Sequence, residues 1–567
     1  METSRKFSYL FRKHTFIRLG CLLSLIGIVL LILFFIGYKI QPEPVIESIV
    51  PPVGAPGDIV VINGKNFGES RDMSYVEIAG SKLTSSSYVS WSDTKIKIIV
   101  PANVQDGLVI VGTKNVQSKP ALFANEVDIP VYVPQTMQTT MPYISSLSDE
   151  SLQVGSVLTI SGSNFGESRN QSKVYFTIDY NNQIRNSEYI NTALYTENMV
   201  EVNEAENGYE YWSDSEIRVR VPDGAVSGVV LVDNGKEKSE PFPFKVNDFV
   251  GTKSYTSKKI YLIQYSADIK DVVTEGSATI SLRCPIPVSA PWQSNVELTE
   301  INPEPNLKYY QNCMVQQLTK SISSAEKTVF SQTYVLSVYE INTKINPDRV
   351  GSVKSLNSAF YKAATAADDV IPADDERLVS LYKTIVGNEK GTYRRAKMIY
   401  EYMCKNYEIL SKNRKDDADP FDLITKKKGD AYDFSVIYTA LLRTCGIPAL
   451  LDCGILINEN MKTQIHWWSE FYCPGFGWVP VDAALGAGLD YKNWPDVTNP
   501  DTYYFGNLDS HHIAFSRGYN LLKPFAPDNK IVQYRKSFAL QSIWEEASSE
   551  ASKYSSYWSI PVVKGVY

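Results

Sequence analysis

Histidine and cysteine are scarce in this chain. Its 567 residues include four histidines and seven cysteines. So few cysteines over this length exclude a small fold held by a dense disulfide framework. The sequence has neither a His-Glu-x-x-His motif nor a Cys/His spacing typical of zinc sites. It therefore predicts no metal centre and no cofactor.

Positive charge is also in deficit. Lys and Arg number 56 against 63 Asp and Glu, for a net charge of −7, and the first 40 residues hold six of the basic residues but only one acidic residue. The rest of the chain is therefore more acidic still. Proteins that bind nucleic acids present a clustered basic face to the phosphates. We expect no nucleic-acid partner.

What the sequence does contain points to a multidomain globular protein. Hydrophobic residues make up 44% of the chain and charged residues 21%, which is the composition of folded domains. At about 100 to 200 residues per domain, the length predicts several of them.

One apolar segment near the N-terminus predicts a transmembrane helix. Residues 19–38 carry no charge and, at about 1.5 Å per residue, match a hydrocarbon core of about 30 Å. Residues 1–18 are basic and should remain in the cytoplasm. We expect a single-pass plasma-membrane protein whose C-terminal domains are extracytoplasmic. The alternative is a cleaved signal peptide, but the segment is long for one and no small-x-small cleavage site follows it.

Outside the cytoplasm, the six cysteines after Cys21 are able to form disulfides, although the sequence does not determine their pairing. Cys284 with Cys313 is one guess. Cys21 itself precedes most of the apolar run, so we expect it to face the membrane rather than to carry a lipid.

Two segments repeat one order of signals. Gly-x-Asn-Phe-Gly-Glu-Ser occurs at residues 64–70 and again at 162–168, and Trp-Ser-Asp follows at Trp91 and at Trp212. Alternating apolar residues after each Trp-Ser-Asp predict half-buried strands. The second copy has 23 more residues between its two motifs than the first.

These motifs resemble the IPT/TIG family of immunoglobulin-like β-sandwiches. The resemblance implies one such domain at 44–126 and a second at 141–247, with an insert at about 179–210. We interpret Asn66 and Asn164 as turn formers, and the neighbouring glycines as positions that need positive φ. The insert is the better candidate for partner contact, because binding is often carried by loops of a rigid scaffold.

A third β-rich segment, residues 252–347, also alternates as a sandwich does. It resembles the β domain that often precedes a transglutaminase-like core in bacterial proteins, chiefly through Pro285-Ile286-Pro287 and Trp292-Gln293. We expect it to position the segment that follows.

Helical spacing begins after residue 350. Asp374 and Asp375 predict the start of a helix that runs to about Val386, and a stripe from Phe434 to Cys445 predicts another that Gly446 ends. The segment 350–525 resembles the transglutaminase-like superfamily, with an α+β papain-like core, and 526–567 is interpreted as a C-terminal tail. The resemblance rests on Leu-Leu-Arg-x-x-Gly-Ile-Pro from Leu441, His-x-Trp-x-Glu from His466 and Gly-Trp-Val-x-Val-Asp ending at Asp482.

The resemblance implies a Cys-His-Asp site in which a thiolate at a helix N-terminus attacks an acyl carbon. His466 and Asp482 match the family's His and Asp. The family frame Gly-x-Cys-x-Asp-Phe reads Gly-Asp-Ala-Tyr-Asp-Phe here, with Ala431 at the nucleophile position. A methyl group neither ionises nor attacks, so we expect no acyl-enzyme chemistry.

Other residues are poor substitutes for the missing thiol. Cys445 lies about 21 Å further along the same helix. Cys453 and Cys473 are interpreted as packing or disulfide residues, and Ser435 points away from the helix tip. Metal-assisted chemistry is disfavoured because the remaining histidines are His14 and the adjacent pair His511 and His512.

Three functions remain open at this point. The first is a catalytically inactive, membrane-anchored binding or scaffolding module for an envelope protein, peptide or glycan. The second is a thiol protease or amide acyl transferase whose nucleophile has been replaced in this chain, either naturally or by engineering. The third is a structural spacer or adhesin.

Two site features also keep two interpretations each. His466 and Asp482 either form a structural pair in the core or grip a ligand. The aromatic segments 504–507 and 513–516 either pack against the core or form a wall of a substrate groove.

Overall fold

The computed structural model describes residues 12–39, 42–101, 107–114, 116–125, 140–185, 192–203, 208–352, 358–491 and 497–567. The chain divides into two compact units, residues 1–132 and 133–567. The first contains the apolar helix and one β-sandwich. The second contains two further sandwiches and a mixed α/β core.

The apolar segment forms helix α1 (Thr15–Lys39), which begins four residues before the predicted span. Within the described residues, one helix segment, Thr15–Phe34, is long and apolar enough to cross a membrane, with a mean hydropathy of 2.7. A helix of this kind near an N-terminus is compatible with either a membrane anchor or a signal sequence.

The first repeat is a two-sheet sandwich. One sheet has the strand order β1-β3-β7-β6 and the other β2-β10-β8-β4-β5, with β9 paired to β8. The bounds are β1 (Val45–Val50), β2 (Val53–Gly54), β3 (Ile59–Lys65), β4 (Tyr75–Ile78), β5 (Ser81–Lys82), β6 (Tyr88–Trp91), β7 (Lys95–Ile99), β8 (Gly107–Thr113), β9 (Val116–Gln117) and β10 (Ala121–Asn125), with a 3₁₀ turn at Ser85–Ser87.

The second repeat has the same arrangement, with sheets β11-β13-β17-β16 and β12-β19-β18-β14-β15. Within the insert, a short helix α2 (Thr192–Glu197) leads to β15, which pairs with β14. The bounds are β11 (Tyr143–Leu147), β12 (Ser151–Leu152), β13 (Val157–Ser163), β14 (Lys173–Ile178), β15 (Met199–Glu201), β16 (Tyr209–Trp212), β17 (Glu216–Arg220), β18 (Ala225–Asp233) and β19 (Phe242–Val246).

The two repeated motifs are bonded to each other, which explains why they occur together. In the first sandwich the Trp91 indole N–H donates to the Phe67 carbonyl at 3.1 Å, and the Gly68 N–H donates to the Asp93 carboxylate at 2.9 Å. The second sandwich repeats both bonds. Asn66 takes a φ of 62° and is followed by the fully buried Phe67. The asparagine is therefore a turn former, as the sequence predicts.

Two of the motif glycines differ from the prediction. Gly64 and Gly162 are not among the residues with positive φ. A Cβ on either would lie 1.9 Å from the carbonyl oxygen of the neighbouring strand, at Val45 or Tyr143. Close approach of two backbones, rather than a left-handed turn, requires glycine at these positions.

The third β region begins as two sheets. Long antiparallel strands β20 and β25 pair along most of their length, and β22 lies on the far side of β25. The second sheet contains β23-β24-β21. The bounds are β20 (Gly251–Thr274), β21 (Ala278–Pro285), β22 (Gln293–Asn302), β23 (Leu307–Tyr310), β24 (Cys313–Lys320) and β25 (Thr328–Ile345), followed by a 3₁₀ turn at Pro347–Arg349.

The core then places helices on a four-stranded sheet of order β30-β29-β28-β31. Helix α4 begins after the N-cap Asp375 and ends at Val386, as predicted. The helices are α3 (Ala359–Thr365), α4 (Glu376–Val386), α5 (Thr392–Asn406), α6 (Asp422–Lys426), α7 (Ala431–Thr444), α8 (Ala483–Gly486) and α9 (Pro500–Tyr503). The strands are β26 (Glu408–Ile409), β27 (Lys428–Gly429), β28 (Ala449–Ile457), β29 (Thr463–Cys473), β30 (Gly477–Val481) and β31 (His512–Arg517).

The last part of the chain differs from the tail predicted for residues 526–567. It supplies β32 (Lys530–Val532), β33 (Glu545–Ala547), β34 (Ala551–Trp558) and β35 (Val562–Val566). Strand β33 pairs with β21, while β34 and β35 pair with β20. These strands complete the third sandwich, so the core is inserted between the two halves of that domain. Local alternation did not reveal this pairing because the partners lie almost 300 residues apart.

The third sandwich and the second repeat both contact the core. Gln293 bonds Ala514 of β31 through both its amide nitrogen and its amide oxygen at 2.8 Å, and Trp292 contacts Trp468 edge to face. The Lys253 ammonium lies between the Asp223 carboxylate and the Trp478 carbonyl. These contacts agree with the positioning role expected of the third sandwich.

All seven cysteines are free thiols. Cys284 and Cys313 lie on paired strands and are both buried, but each thiol donates to another acceptor. Cys284 contacts the Gln316 side chain and Cys313 the Tyr310 carbonyl. The guessed disulfide between them is absent.

The joint between the C-terminal strands and the third sandwich can be tested at Trp544. This indole is fully buried and packs within 6 Å of the rings of Tyr534, Phe538 and Trp558. We expect Trp544→Ala to lower the free energy of unfolding by about 3–5 kcal/mol in urea titrations, because truncation leaves a cavity. The control is Tyr557→Ala on β34, which is 66% exposed and should cost about 0.5 kcal/mol or less. Equal losses would contradict this packing.

Candidate functional site

The site is built on the first turn of α7. Ala431 is the first residue of the helix, and Asp430 is its N-cap. The Asp430 carboxylate accepts from the Asp433 N–H, and the Asp433 carboxylate accepts from the Asp430 N–H, which completes a capping box. Ala431 therefore occupies the helix tip that the sequence assigns to it, and it is 2% exposed.

Two cations balance the carboxylates at this tip. The Arg414 guanidinium bonds the Asp433 carboxylate at 2.7 Å, and the Lys536 ammonium bonds the Asp430 carboxylate at 2.9 Å. Burial raises the pKa of Asp433 to about 7, against the opposing effect of Arg414. Burial also acts to raise the pKa of Asp430, but the hydrogen bond and charge of Lys536 outweigh it and the net shift is downward.

Helix α7 lies along strand β29. The Ser435 hydroxyl donates to the Trp467 carbonyl at 2.8 Å, and the hydroxyls of Thr439 and Ser469 are bonded at 2.9 Å. The Tyr432 ring meets the Trp467 ring at 5.3 Å. The first turns of the helix therefore contact the residue that directly follows His466.

His466 and Asp482 form a buried hydrogen-bonded pair. His466 Nε2 donates to Asp482 Oδ2 at 2.6 Å, and both side chains are fully buried. The other carboxylate oxygen accepts from the backbone N–H groups of Ala484 and Leu485, because Asp482 is also the N-cap of α8. Burial opposes ionisation of Asp482, but the charge and hydrogen bond of His466 outweigh it and hold the pKa well below its usual range.

The second ring nitrogen of His466, Nδ1, differs from Nε2 in its hydrogen bonding. Nδ1 is buried and has no hydrogen-bond partner among the described residues. Since Nε2 is used on Asp482, Nδ1 is the ring nitrogen of His466 that is left for a further partner. A buried acceptor without a donor is costly, and such atoms mark places where a ligand or reacting group belongs.

A second histidine joins this pair, and sequence reasoning missed it. His512 Nε2 lies 3.1 Å from Asp482 Oδ2, and its Nδ1 lies 2.9 Å from Asp509 Oδ1. The Tyr504 hydroxyl donates to the other oxygen of Asp509. Because both neighbours of His512 are carboxylate oxygens, both its nitrogens donate and the ring is an imidazolium.

The pKa shifts agree with that charge state. Burial lowers the pKa of His512, but Asp509 and Asp482 outweigh it and raise the pKa to about 9. The pKa of Asp509 falls to about 2, chiefly because the charge of His512 outweighs burial. The adjacent His511 instead bonds the Tyr261 hydroxyl at 3.2 Å, and burial lowers its pKa to about 4. The sequence signal for His512 is Asp-x-x-His at the start of a strand. This motif is too short to identify Asp482 as a partner.

The cysteines and the serine considered as replacements for the nucleophile either bond other groups or are poorly ionised. The Cys453 thiol donates to the Ser537 carbonyl at 2.9 Å, and the Ser435 hydroxyl is used on Trp467. Burial raises the pKa of Cys445 to about 11 and that of Cys473 to about 12. A raised pKa disfavours the thiolate, so these thiols are structural.

The C-terminal aromatic segments favour the packing interpretation. Tyr504 and Phe505 are buried, and so are Ile513 and Phe515 of β31. They line the interior of the core and third sandwich rather than a groove.

A cavity of about 570 Å³ lies at the junction of the second sandwich and the core. Its described lining combines aromatic, amide and guanidinium groups. These include Gln153 and Arg220 from the second sandwich, Phe249 and Arg349 beside the third, and Phe360 and Tyr472 from the core. Its volume and lining are those of a small-molecule or short-peptide site.

Comparison with curated proteins finds partial relatives. An uncharacterized protein of Haemophilus influenzae is 30% identical over 164 residues, which is 23% of this chain and 44% of the relative. A cyclomaltodextrin glucanotransferase of Paenibacillus macerans is 35% identical over 75 residues, 13% of this chain and 10% of the relative. The chain thus spans less than half the length of these curated relatives.

Solved structures show low similarity. A candidate cysteine protease from Cytophaga hutchinsonii has 15% identity and a TM-score of 0.34, covering 56% of this chain and 91% of that one. The periplasmic domain of TgpA from Pseudomonas aeruginosa has 12% identity and a TM-score of 0.23, covering 42% and 88%. TM-scores this low do not establish a common arrangement of domains.

Family models match two parts of the chain. The transglutaminase-like superfamily model covers residues 379–483, which include α7, β29 and the pair of His466 and Asp482. The IPT/TIG domain model covers residues 44–124, the first sandwich. The second sandwich repeats the strand order and the motif bonds of the first. The chain therefore contains an IPT/TIG domain, a second sandwich of the same strand order, and a core that matches the transglutaminase-like superfamily.

Proposed function

We propose that this protein is a membrane-anchored, extracytoplasmic transglutaminase-like protein that performs no acyl-enzyme chemistry and acts as a binding or scaffolding module. The observation that supports this proposal most directly is that Ala431 stands at the tip of helix α7. The capping box, the balancing cations and the pair of His466 and Asp482 all accompany a side chain that cannot act as a nucleophile. Removing the nucleophile of a triad enzyme costs on the order of 10⁶ in kcat.

The binding role has separate support. The cavity between the second sandwich and the core offers aromatic rings for stacking and guanidinium and amide groups for hydrogen bonds. On the proposed topology, the partner is an envelope protein, peptide or glycan. The cyclomaltodextrin glucanotransferase relatives act on a glycan by name, which is compatible with the last of these.

A second candidate is an enzyme of this superfamily, a thiol protease or amide acyl transferase, whose nucleophile has been replaced. The observation that favours it is His466, whose buried Nδ1 lacks a donor. In an active Cys-His-Asp site, the imidazole that accepts the thiol proton needs such a free nitrogen.

Restoring the thiol tests the helix tip. We expect Ala431→Cys to react with iodoacetamide at pH 7 about 10-fold or more faster than free cysteine, because the helix N-terminus and His466 favour the thiolate. The unmodified chain supplies the background rate of its seven native thiols. The matched control is the double variant with His466→Gln, which should react more slowly than Ala431→Cys alone, because only the helix N-terminus then favours the thiolate.

The same variant separates the two candidates. A reactive thiol that leaves amide substrates unchanged supports a binding module, whereas catalytic turnover supports an enzyme with a replaced nucleophile. A slow thiol in a folded variant would contradict the assignment of residue 431 as a nucleophile position.

The anchor makes a further prediction. An uncleaved α1 should hold the full chain in membranes through carbonate extraction, and the intact mass should include residues 1–38. Alkaline phosphatase fused after residue 567 should be active, because that enzyme needs an oxidising compartment. A mature protein that begins beyond α1 would show that the segment is a cleaved signal peptide.

A further inference from the structure

Three potential metal ligands converge in the core, although the sequence predicts none. One ring nitrogen of His466, one ring nitrogen of His512 and a carboxylate oxygen of Asp482 lie within 4.8 Å of one another. All three side chains are fully buried. His466 lies on β29, His512 on β31, and Asp482 directly follows β30, so the folded sheet rather than a local motif assembles them.

The spacing of these atoms is close to that of a coordination shell. Asp482 Oδ2 lies 2.6 Å from one imidazole nitrogen and 3.1 Å from the other. Ligands at 2.0–2.1 Å from a tetrahedral zinc ion are about 3.3 Å apart. The 2.6 Å contact between His466 and Asp482 must therefore lengthen by about 0.7 Å when the ion enters, through movement of the His466 ring.

The groups behind the ligands are those of a built metal site. His512 Nδ1–H donates to the Asp509 carboxylate, which also accepts a hydrogen bond from the Tyr504 hydroxyl. Two backbone N–H groups fix the second oxygen of Asp482. Carboxylate–histidine–metal arrangements of this kind orient the ligand and raise its basicity.

We propose that His466, Asp482 and His512 form a binding site for one divalent transition-metal ion, with Zn²⁺ as the expected occupant. Two imidazoles and one carboxylate are a donor set that suits zinc and leaves a fourth position open. The site is independent of the proposed binding role, because neither the cavity nor the partner enters into it.

The test measures metal in the full-length chain. Protein is purified in detergent, without chelators or a polyhistidine tag, from cells grown with added zinc, because a fully buried site should fill during folding. We expect about one zinc per chain by mass spectrometry of the metal. X-ray absorption should show nitrogen and oxygen ligands at about 2.0–2.1 Å and no sulfur.

Variants locate the ion. His512→Gln should abolish stoichiometric zinc, and Asp509→Asn should weaken zinc binding 10- to 100-fold, because it removes only the group that orients His512. The matched control is His511→Gln, since this neighbouring buried histidine bonds Tyr261 and supplies no ligand. It should retain one zinc per chain.

Several outcomes would overturn the site. They are a folded full-length chain without zinc, a sulfur ligand in the absorption spectrum, or equal zinc in the His511→Gln and His512→Gln variants. The first measurement uses the unmodified chain, so it stands even if a variant fails to fold.

Discussion

The reciprocal hydrogen bonds between Asp430 and Asp433 are the constraint on which the site depends. They end the loop and begin α7 at one residue, and thereby fix which side chain stands at the helix tip. Two buried carboxylates at this point would be unfavourable alone, and Arg414 and Lys536 offset them. Lys536 comes from the segment that leads into the C-terminal strands, so a residue more than 100 positions away stabilises the start of this helix.

The side chain at the tip of helix α7 is the methyl group of Ala431, which carries no thiol. Ala431 stands at the N-terminus of α7, and His466 and Asp482 remain hydrogen-bonded to each other. Most polar atoms of the buried groups around it are hydrogen-bonded, but His466 Nδ1 and Asp433 Oδ1 lack a partner among the described residues. His512 and Asp509 extend the pair of His466 and Asp482 into a longer buried hydrogen-bonded chain.

The sequence predicts this fold well wherever the signals are local. The doubled Asn-Phe-Gly and Trp-Ser-Asp motifs predict the two sandwiches because their residues bond each other within one domain. Asp375 and Gly446 mark the ends of helices for the same reason, and His466 and Asp482 are recognised within short motifs. The sequence does not reveal the role of His512, because its partner Asp482 lies 30 residues away. The sequence does not predict the pairing of the C-terminal strands, because alternation predicts a strand but not its partner. It does not predict why residue 64 is glycine, because the approach of a neighbouring carbonyl is not visible in local sequence.

The placement of the core between the two halves of the third sandwich determines the order in which the protein is completed. Strands β20 and β21 are synthesised early, but their final partners β33, β34 and β35 arrive only after the whole core has been made. Until then, one edge of each sheet remains open and prone to pair with other chains. A newly made chain whose core has already folded therefore still exposes these strand edges, and only closure of the third sandwich removes them.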